Sequence, residues 1–215
     1  GFKTHGELYA WAKAHGMDSK AAFPRFKAAL LDIGIDYCAL RAGVRAERVE
    51  ALAAQATRSL ILISDAKART DRFAICDGAG RPVWHGKFFE EDRDYNGEQS
   101  SGEMASAKKA VWLASKVKEA LGAAAIRLNL KVDADWLCYA NLVSDAPGDL
   151  KTGGKARALG ELAQRLGVVL HVEYISGISN PADPYTVCHG FKKWQETDLF
   201  SLLEAEATVP TAAMA

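Results

Sequence analysis

The run Ser59-Leu60-Ile61-Leu62-Ile63-Ser64 constrains this chain most strongly. It is short, β-branched and apolar almost without interruption, which is the pattern of a strand buried on both faces. The chain before it has a different character. Residues 5 to about 57 read as helical, with Leu8, Trp11, Ala12 and His15 at helical spacing, followed by Phe23, Phe26, Ala29, Leu30 and Ile33. Gly34 closes that second segment, and Val44 to Ala56 makes a third, Ala-rich one.

Downstream, Arg72 to Cys76 and Val83 to Phe89 read as strands joined by Asp77-Gly78-Ala79-Gly80-Arg81, a hairpin turn. A polar loop leads to a helix from about Gly102 to Leu121, which Ser100 or Ser101 can cap and Gly122 can end. Ala107, Val111, Ala114 and Val117 share its sheet-facing side. Ile126 to Asp133 is a fourth strand, and a helix from Trp136 to about Val143 follows it. Another helix spans Lys155 to Leu166, and Val168 to Ser176 is the fifth strand. A final helical stretch runs from Val187 to Glu206. This order, β-β-β-α-β-α-α-β-α, predicts an α/β fold with a mixed five-stranded sheet flanked by helices. The expected division is a helical N-terminal region over 1–57, a core domain over 58–206 and a flexible tail over 207–215.

Composition removes several function classes. Among the 215 residues no apolar run approaches the roughly 20 that a membrane span requires, so no membrane association is expected. Cys38, Cys76, Cys138 and Cys188 are scattered singly, which argues against a structural zinc site. Reduced thiols in a chain of this size suit a cytoplasmic protein. The 27 basic and 27 acidic residues cancel, which weighs against strong nonspecific binding to nucleic acid.

Four acids stand where sheet folds build sites. Asp65 closes the first strand and Asp133 the fourth, Glu103 sits at the start of the first core helix, and Asp183 follows the fifth strand. Carboxylates at strand ends and helix starts can converge at one edge of a sheet, where open α/β sheets bind ligands. Four acids brought together repel one another and call for counter-ions, and hard divalent cations prefer such oxygens.

With the order and the acids in place, residues 59 to 194 resemble the ribonuclease H-like superfamily, closest to ribonuclease HI and the ribonuclease H domains of retroelements. The resemblance lies in ILISDAK on the first strand of a three-strand meander, in SSGEMASAKKAVWLA, in LKVDADWLCYAN and in the loop ISGISNPADPYT. It implies a metal-dependent endonuclease that hydrolyses phosphodiester bonds, with the RNA strand of an RNA–DNA hybrid as substrate and DNA as the alternative. It also implies that Asp65, Glu103, Asp133 and Asp183 hold two Mg²⁺ ions, with Mn²⁺ able to substitute, and act as the catalytic residues. A non-catalytic nucleic-acid-binding or regulatory protein that kept the fold is the third reading.

Two acids compete for places. Asp77 lies in Cys-Asp-Gly, which looks like the family's opening motif, but choosing it leaves one strand before Glu103 and gives SLILISD no role. Asp65 is therefore preferred. Asp135, past the strand end, is expected to face solvent or cap the next helix. The resemblance also departs from its pattern, because Ile178 stands near the expected position of a His that aids product departure. His189 is a weak substitute.

Lys67, Arg69 and Asn180 are the expected substrate-binding residues, with Arg72 beside them. Further basic groups are Lys108, Lys109, Lys116 and Lys118, and then Lys151, Lys155 and Arg157. All could meet phosphates without reading sequence, although solvated helix faces are the more ordinary explanation of each group. Trp112 and Trp136 could stack on a base or belong to the core. The N-terminal region, with Trp11, Arg25, Phe26 and Lys27, permits contact with nucleic acid or a protein partner.

Overall fold

The computed structural model describes residues 5–17, 22–32, 47, 49–89, 92–141, 150–195, 198 and 202. The chain divides near residue 51 into two compact units. The first contains α1 (His5–Ala14) and α2 (Phe23–Asp32). Leu8, Ala12, Phe26 and Leu30 form its own small core, with Met17 against it. Trp11 stacks on His15 at 4.2 Å and on Phe26 at 6.1 Å. Residues 33–46, with Gly34 and the start of the third predicted helix, lie outside the described set, whereas residues 49–55 are helical as expected.

The second unit is a five-stranded mixed sheet covered by helices. Its strands are β1 (Ala56–Lys67), β2 (Arg72–Asp77), β3 (Pro82–Lys87), β4 (Ala125–Val132) and β5 (Val168–Tyr174). Their order across the sheet is β3-β2-β1-β4-β5. β2 runs antiparallel to both neighbours, while β1, β4 and β5 are parallel. The SLILIS run thus lies in the central strand. Leu60 and Leu62 are fully buried beneath one layer, and Ile63 beneath the other.

The main covering helix is α3 (Gln99–Ala120). Ala107, Ala110, Val111, Ala114 and Val117 are all fully buried against the sheet, so the predicted helical stripe faces it. Small residues let this helix approach closely. A Cβ on Gly102 would lie 3.3 Å from Ala66 Cβ, and Ser106 Oγ donates to Asp65 O at 2.9 Å. α4 (Leu150–Arg165) packs on the same side and contributes Leu159 and Ala163 to that core. α5 (Asp183–Val187) lies against β1 and β2 on the opposite face.

Several boundaries differ from the sequence reading. Ala56 and Thr57 belong to β1 rather than to the preceding helix, and Ala56 pairs with Ala125 across an irregularity in the ladder. α3 begins at Gln99, so Ser100 and Ser101 lie inside it, and its N-cap Glu98 makes no side-chain cap bond. Ser101 Oγ donates to Glu98 O within that first turn and accepts from Asn96 N.

The predicted helix at Trp136 is a 3-10 segment, Asp135–Asn141, among the described residues. Asn141, its last described residue, brackets Val172 on the edge strand, accepting at 2.6 Å and donating at 2.7 Å. A short helix, Asp183–Val187, precedes the predicted last helix, whose first part over 188–195 is not helical, whereas Asp198 and Leu202 are helical as expected. The chain is then captured by the open edge of β3, where His85 and Lys192 exchange backbone hydrogen bonds of 2.9 and 3.0 Å. An unpaired sheet edge competes effectively with a helix for such a segment.

Candidate metal centre

Parallel pairing brings two acids together first. The β1–β4 register ends at Ile63 opposite Lys131. Two further residues along each chain set Asp65 beside Asp133 at the C-terminal edge of the sheet, with side chains on one face. Glu103 enters from α3, one turn beyond the helix start, so it is not in the first turn as expected. Carboxylate oxygens of Asp65, Glu103 and Asp133 all lie within 4.8 Å of one another.

The three differ in how they are held. Asp65 is 3 % exposed, and its Oδ1 accepts from Ala66 N at 2.8 Å. Thr186 Oγ1 lies 3.5 Å from the other oxygen, but it also stands 2.7 Å from Asp183 O, the better acceptor for its single hydrogen. Glu103 is 7 % exposed, and its carboxylate accepts a hydrogen bond from Gln99 Nε2. Asp133 Oδ1 is buried without a hydrogen-bond partner. Space for the other Asp133 oxygen comes from Gly177, where a Cβ would stand 3.2 Å from Oδ2.

Burial and mutual repulsion make this cluster resist ionisation. Burial, then Asp133 and Asp183, push the Asp65 carboxyl up to about 7, against the opposing Ala66 N–H and Lys67. Burial, then Asp65 and Asp133, push Glu103 up to about 8. Asp133 also rises, mainly through burial, and the Asn180 amide and Lys67 offset part of the effect. An orphaned buried carboxylate oxygen inside a group of three acids fits a hard divalent cation, which would satisfy that oxygen and relieve the repulsion.

Asp183 stands apart from the trio. Lys67 Nζ donates to its Oδ1 at 3.0 Å, and its side chain is 45 % exposed. It lies close enough to raise Asp65 and Asp133. Asp77 has a different occupation: it accepts from Ala79 N, Arg81 N and Arg81 Nε at 3.0, 2.9 and 2.7 Å, tying the hairpin turn. Asp135 is exposed at the start of the 3-10 segment.

The residues expected to meet substrate fare unequally. Lys67 is half-buried against Asp183, and Arg69 is exposed on the turn beside it. Asn180 is 3 % exposed. Its Oδ1 accepts from Ala182 N at 3.0 Å and its Nδ2 approaches Ser64 O at 3.4 Å, so it ties the Asp183 loop to β1 rather than facing outward. Arg72 is buried and donates to Gly190 O.

Lys108 and Lys109 pair with Asp94 and Asp92, and Lys109 lies over the rings of Phe73 and Trp84. Lys116 pairs with Glu119, and Lys118 donates to Leu166 O at 2.7 Å. The side chains of Lys151 and Lys155 lie outside the described set. Trp112 and Trp136 are partly buried; Trp136 packs against the core, and Trp112 meets Trp84 and Trp194 at 6.0 and 5.5 Å. Ile178 is fully exposed where a His was expected, and His189 is exposed.

Gln99 and Gly177 escaped the sequence reading. Gln99 carried a signal, because it precedes Glu103 by one helical turn. Gly177 carried none, since only the fold brings it to Asp133. Among the described residues Cys76, Cys138 and Cys188 are free thiols, and no helix is long and apolar enough to cross a membrane.

Comparison with protein-family profiles gives no match, and comparison with characterised sequences gives none. A solved structure to which the chain is similar is the N-terminal RNase H domain of Rv2228c from Mycobacterium tuberculosis, determined as a fusion with maltose-binding protein. The two are 12 % identical with a TM-score of 0.35, over 71 % of this chain and 100 % of that one.

Proposed function

We propose that this protein is a metal-dependent nuclease that hydrolyses phosphodiester bonds, with the RNA strand of RNA–DNA hybrids as its substrate. The observation that carries the reading is the convergence of Asp65, Glu103 and Asp133 within 4.8 Å, all three with raised pKa and Asp133 with an orphaned oxygen. Bound Mg²⁺ or Mn²⁺, two ions in the full reading, would supply Lewis-acid stabilisation of the phosphate charge and activation of water for in-line attack.

The protein's own groups have separable tasks. Asp65, Glu103 and Asp133 would hold the cations, and Asp183 would complete the set from the start of α5. Lys67 neutralises Asp183 and offers a positive charge to an approaching phosphate. Arg69 extends that charge along the exposed turn as a contact that is blind to sequence. Asn180 holds the Asp183 loop against β1. Residues 1–57 are read as a separate helical appendage available to a partner, and the whole as a cytoplasmic protein.

A second reading has one observation in its favour. Ile178 is fully exposed at the place where the resemblance implies a product-releasing His, which suits a protein that binds nucleic acid and turns it over slowly or not at all.

The test is cleavage of labelled RNA–DNA hybrid, duplex DNA and single-stranded RNA in Mg²⁺ or Mn²⁺, with the wild type beside Asp133→Asn. Cleavage of the hybrid that Asp133→Asn abolishes supports the proposal. Preferential cleavage of DNA moves the substrate. An intact hybrid with retained binding favours the second reading.

A further inference from the structure

α3 begins without a side-chain cap, and the residue after Glu98 points elsewhere. Gln99 reaches across to the end of β1. Its Nε2 donates to Ala66 O at 2.6 Å and also to the Glu103 carboxylate, while its Oε1 accepts from Ala68 N at 3.0 Å. One amide thus uses both donors and an acceptor lone pair. Its partners are the backbone on either side of Lys67 and the acid one turn along its own helix.

This arrangement has a consequence for the acids. Asp65 immediately precedes Ala66, so fixing Ala66 O fixes the strand end that carries Asp65. Lys67, held between the two anchored residues, is the partner of Asp183. The helix bearing Glu103 and the strand bearing Asp65 are otherwise joined here by close packing, Gly102 on Ala66, and by the Ser106 hydroxyl on Asp65 O. Packing sets the distance between them but leaves the rotation of the Glu103 carboxylate free. The Gln99 amide removes that freedom.

We infer that Gln99 is a positioning residue that locks the Glu103 carboxylate to the Asp65 strand end and so sets the affinity of the three-acid centre for a divalent cation. The inference rests on the metal-centre reading above. Groups that orient ligands from behind commonly change metal affinity or activity by about 10–100-fold when removed.

The experiment is calorimetric titration of the full chain with Mn²⁺ alone, comparing wild type, Gln99→Met, Gln99→Ala and Asp133→Asn, with melting temperatures measured on the same samples. Gln99→Met keeps the length of the side chain and deletes only the amide. Both Gln99 variants are expected to bind Mn²⁺ about tenfold more weakly while melting within a few degrees of wild type. Where cleavage is measurable, kcat at saturating hybrid should fall at low Mn²⁺ and recover as Mn²⁺ is raised, with the half-activating Mn²⁺ concentration about tenfold higher, a shift that a smaller fraction of folded protein would not produce.

Wild-type affinity in Gln99→Met, with Asp133→Asn unable to bind, overturns the role of Gln99 and leaves the metal centre standing. A wild type that does not bind Mn²⁺ overturns both. Lower affinity that only tracks a lower melting temperature overturns the positioning role as well.

Discussion

Lys67 Nζ sits 3.0 Å from Asp183 Oδ1, so the fourth acid is neutralised by a lysine two residues beyond the first. The pair is half-exposed on both sides, and such pairs contribute about 0–1 kcal/mol to stability. Its electrostatic effect reaches further, because Lys67 opposes the rise in pKa of both Asp65 and Asp133.

Lys67→Met should therefore leave the melting temperature almost unchanged and move the Asp65 carboxyl above its value of about 7. The pH at which half of the Mn²⁺ affinity is reached should rise in the variant. Titrations at a series of pH values check this, and an unshifted midpoint counts against the coupling.

The cluster also dictates how the metal-free protein responds to pH. Folding raises Asp65 from 3.8 to about 7 and Glu103 from 4.5 to about 8. Between those limits the folded state binds more protons than the unfolded state, so stability falls as pH rises. The loss is on the order of 1 kcal/mol per pH unit for each group within its window. Denaturant midpoints without metal should decline from about pH 5 to pH 8, and Asp65→Asn should flatten that decline. Saturating Mn²⁺ should reverse it, because a ligand that binds only the native state stabilises that state.

Asp77 and Asp65 are separable by one substitution each. Asp77 ties the hairpin turn through Ala79 N, Arg81 N and Arg81 Nε. Asp77→Ala should cost about 1–3 kcal/mol by stranding those donors and leave Mn²⁺ affinity at the wild-type level. Asp65→Asn should do the opposite in metal-free buffer, relieving repulsion while weakening the metal site. Thermal melts paired with Mn²⁺ titrations distinguish the two patterns.

Gly177 makes room for Asp133. A Cβ added there would stand 3.2 Å from Oδ2 and 3.9 Å from the Asp133 Cβ, so the carboxylate must shift by a few tenths of an ångström. Gly177→Ala should weaken Mn²⁺ binding by about tenfold, the scale of other disturbances around metal ligands. The substitution lies at the start of a short 3-10 turn, Gly177–Ser179, so a melting-temperature change of only a few degrees is expected, and a large one would point to a different role.

The parts of this protein written in local pattern were legible before its structure. SLILIS is a buried central strand because an apolar, β-branched run can satisfy neither face in water. The stripe Ala107, Val111, Ala114 and Val117 faces the sheet because helical periodicity admits no other burial. The five strands and their mixed arrangement follow from their order and connections. Asp65 was distinguishable from Asp77 by counting strands: Asp65 lies two residues inside the end of the central strand β1, while Asp77 closes β2 and ties the hairpin turn.

Other features were decided only when the chain closed on itself. A 3-10 segment replaces a helix after Asp133 because Asn141 docks on the edge strand at Val172. The predicted last helix is not formed around Lys192 because β3 offers that residue a backbone partner, while Asp198 and Leu202 beyond it are helical. Lys67 meets Asp183 across 116 residues, and Gly177 opens space for Asp133 through the same loop. None of these has a local signal. Sequence alone determined which residues are acidic, which are apolar and the period at which they recur. Which of the acids face one another, which oxygen is left orphaned and which cation is already engaged depend on distances between remote segments, and only tertiary packing sets those.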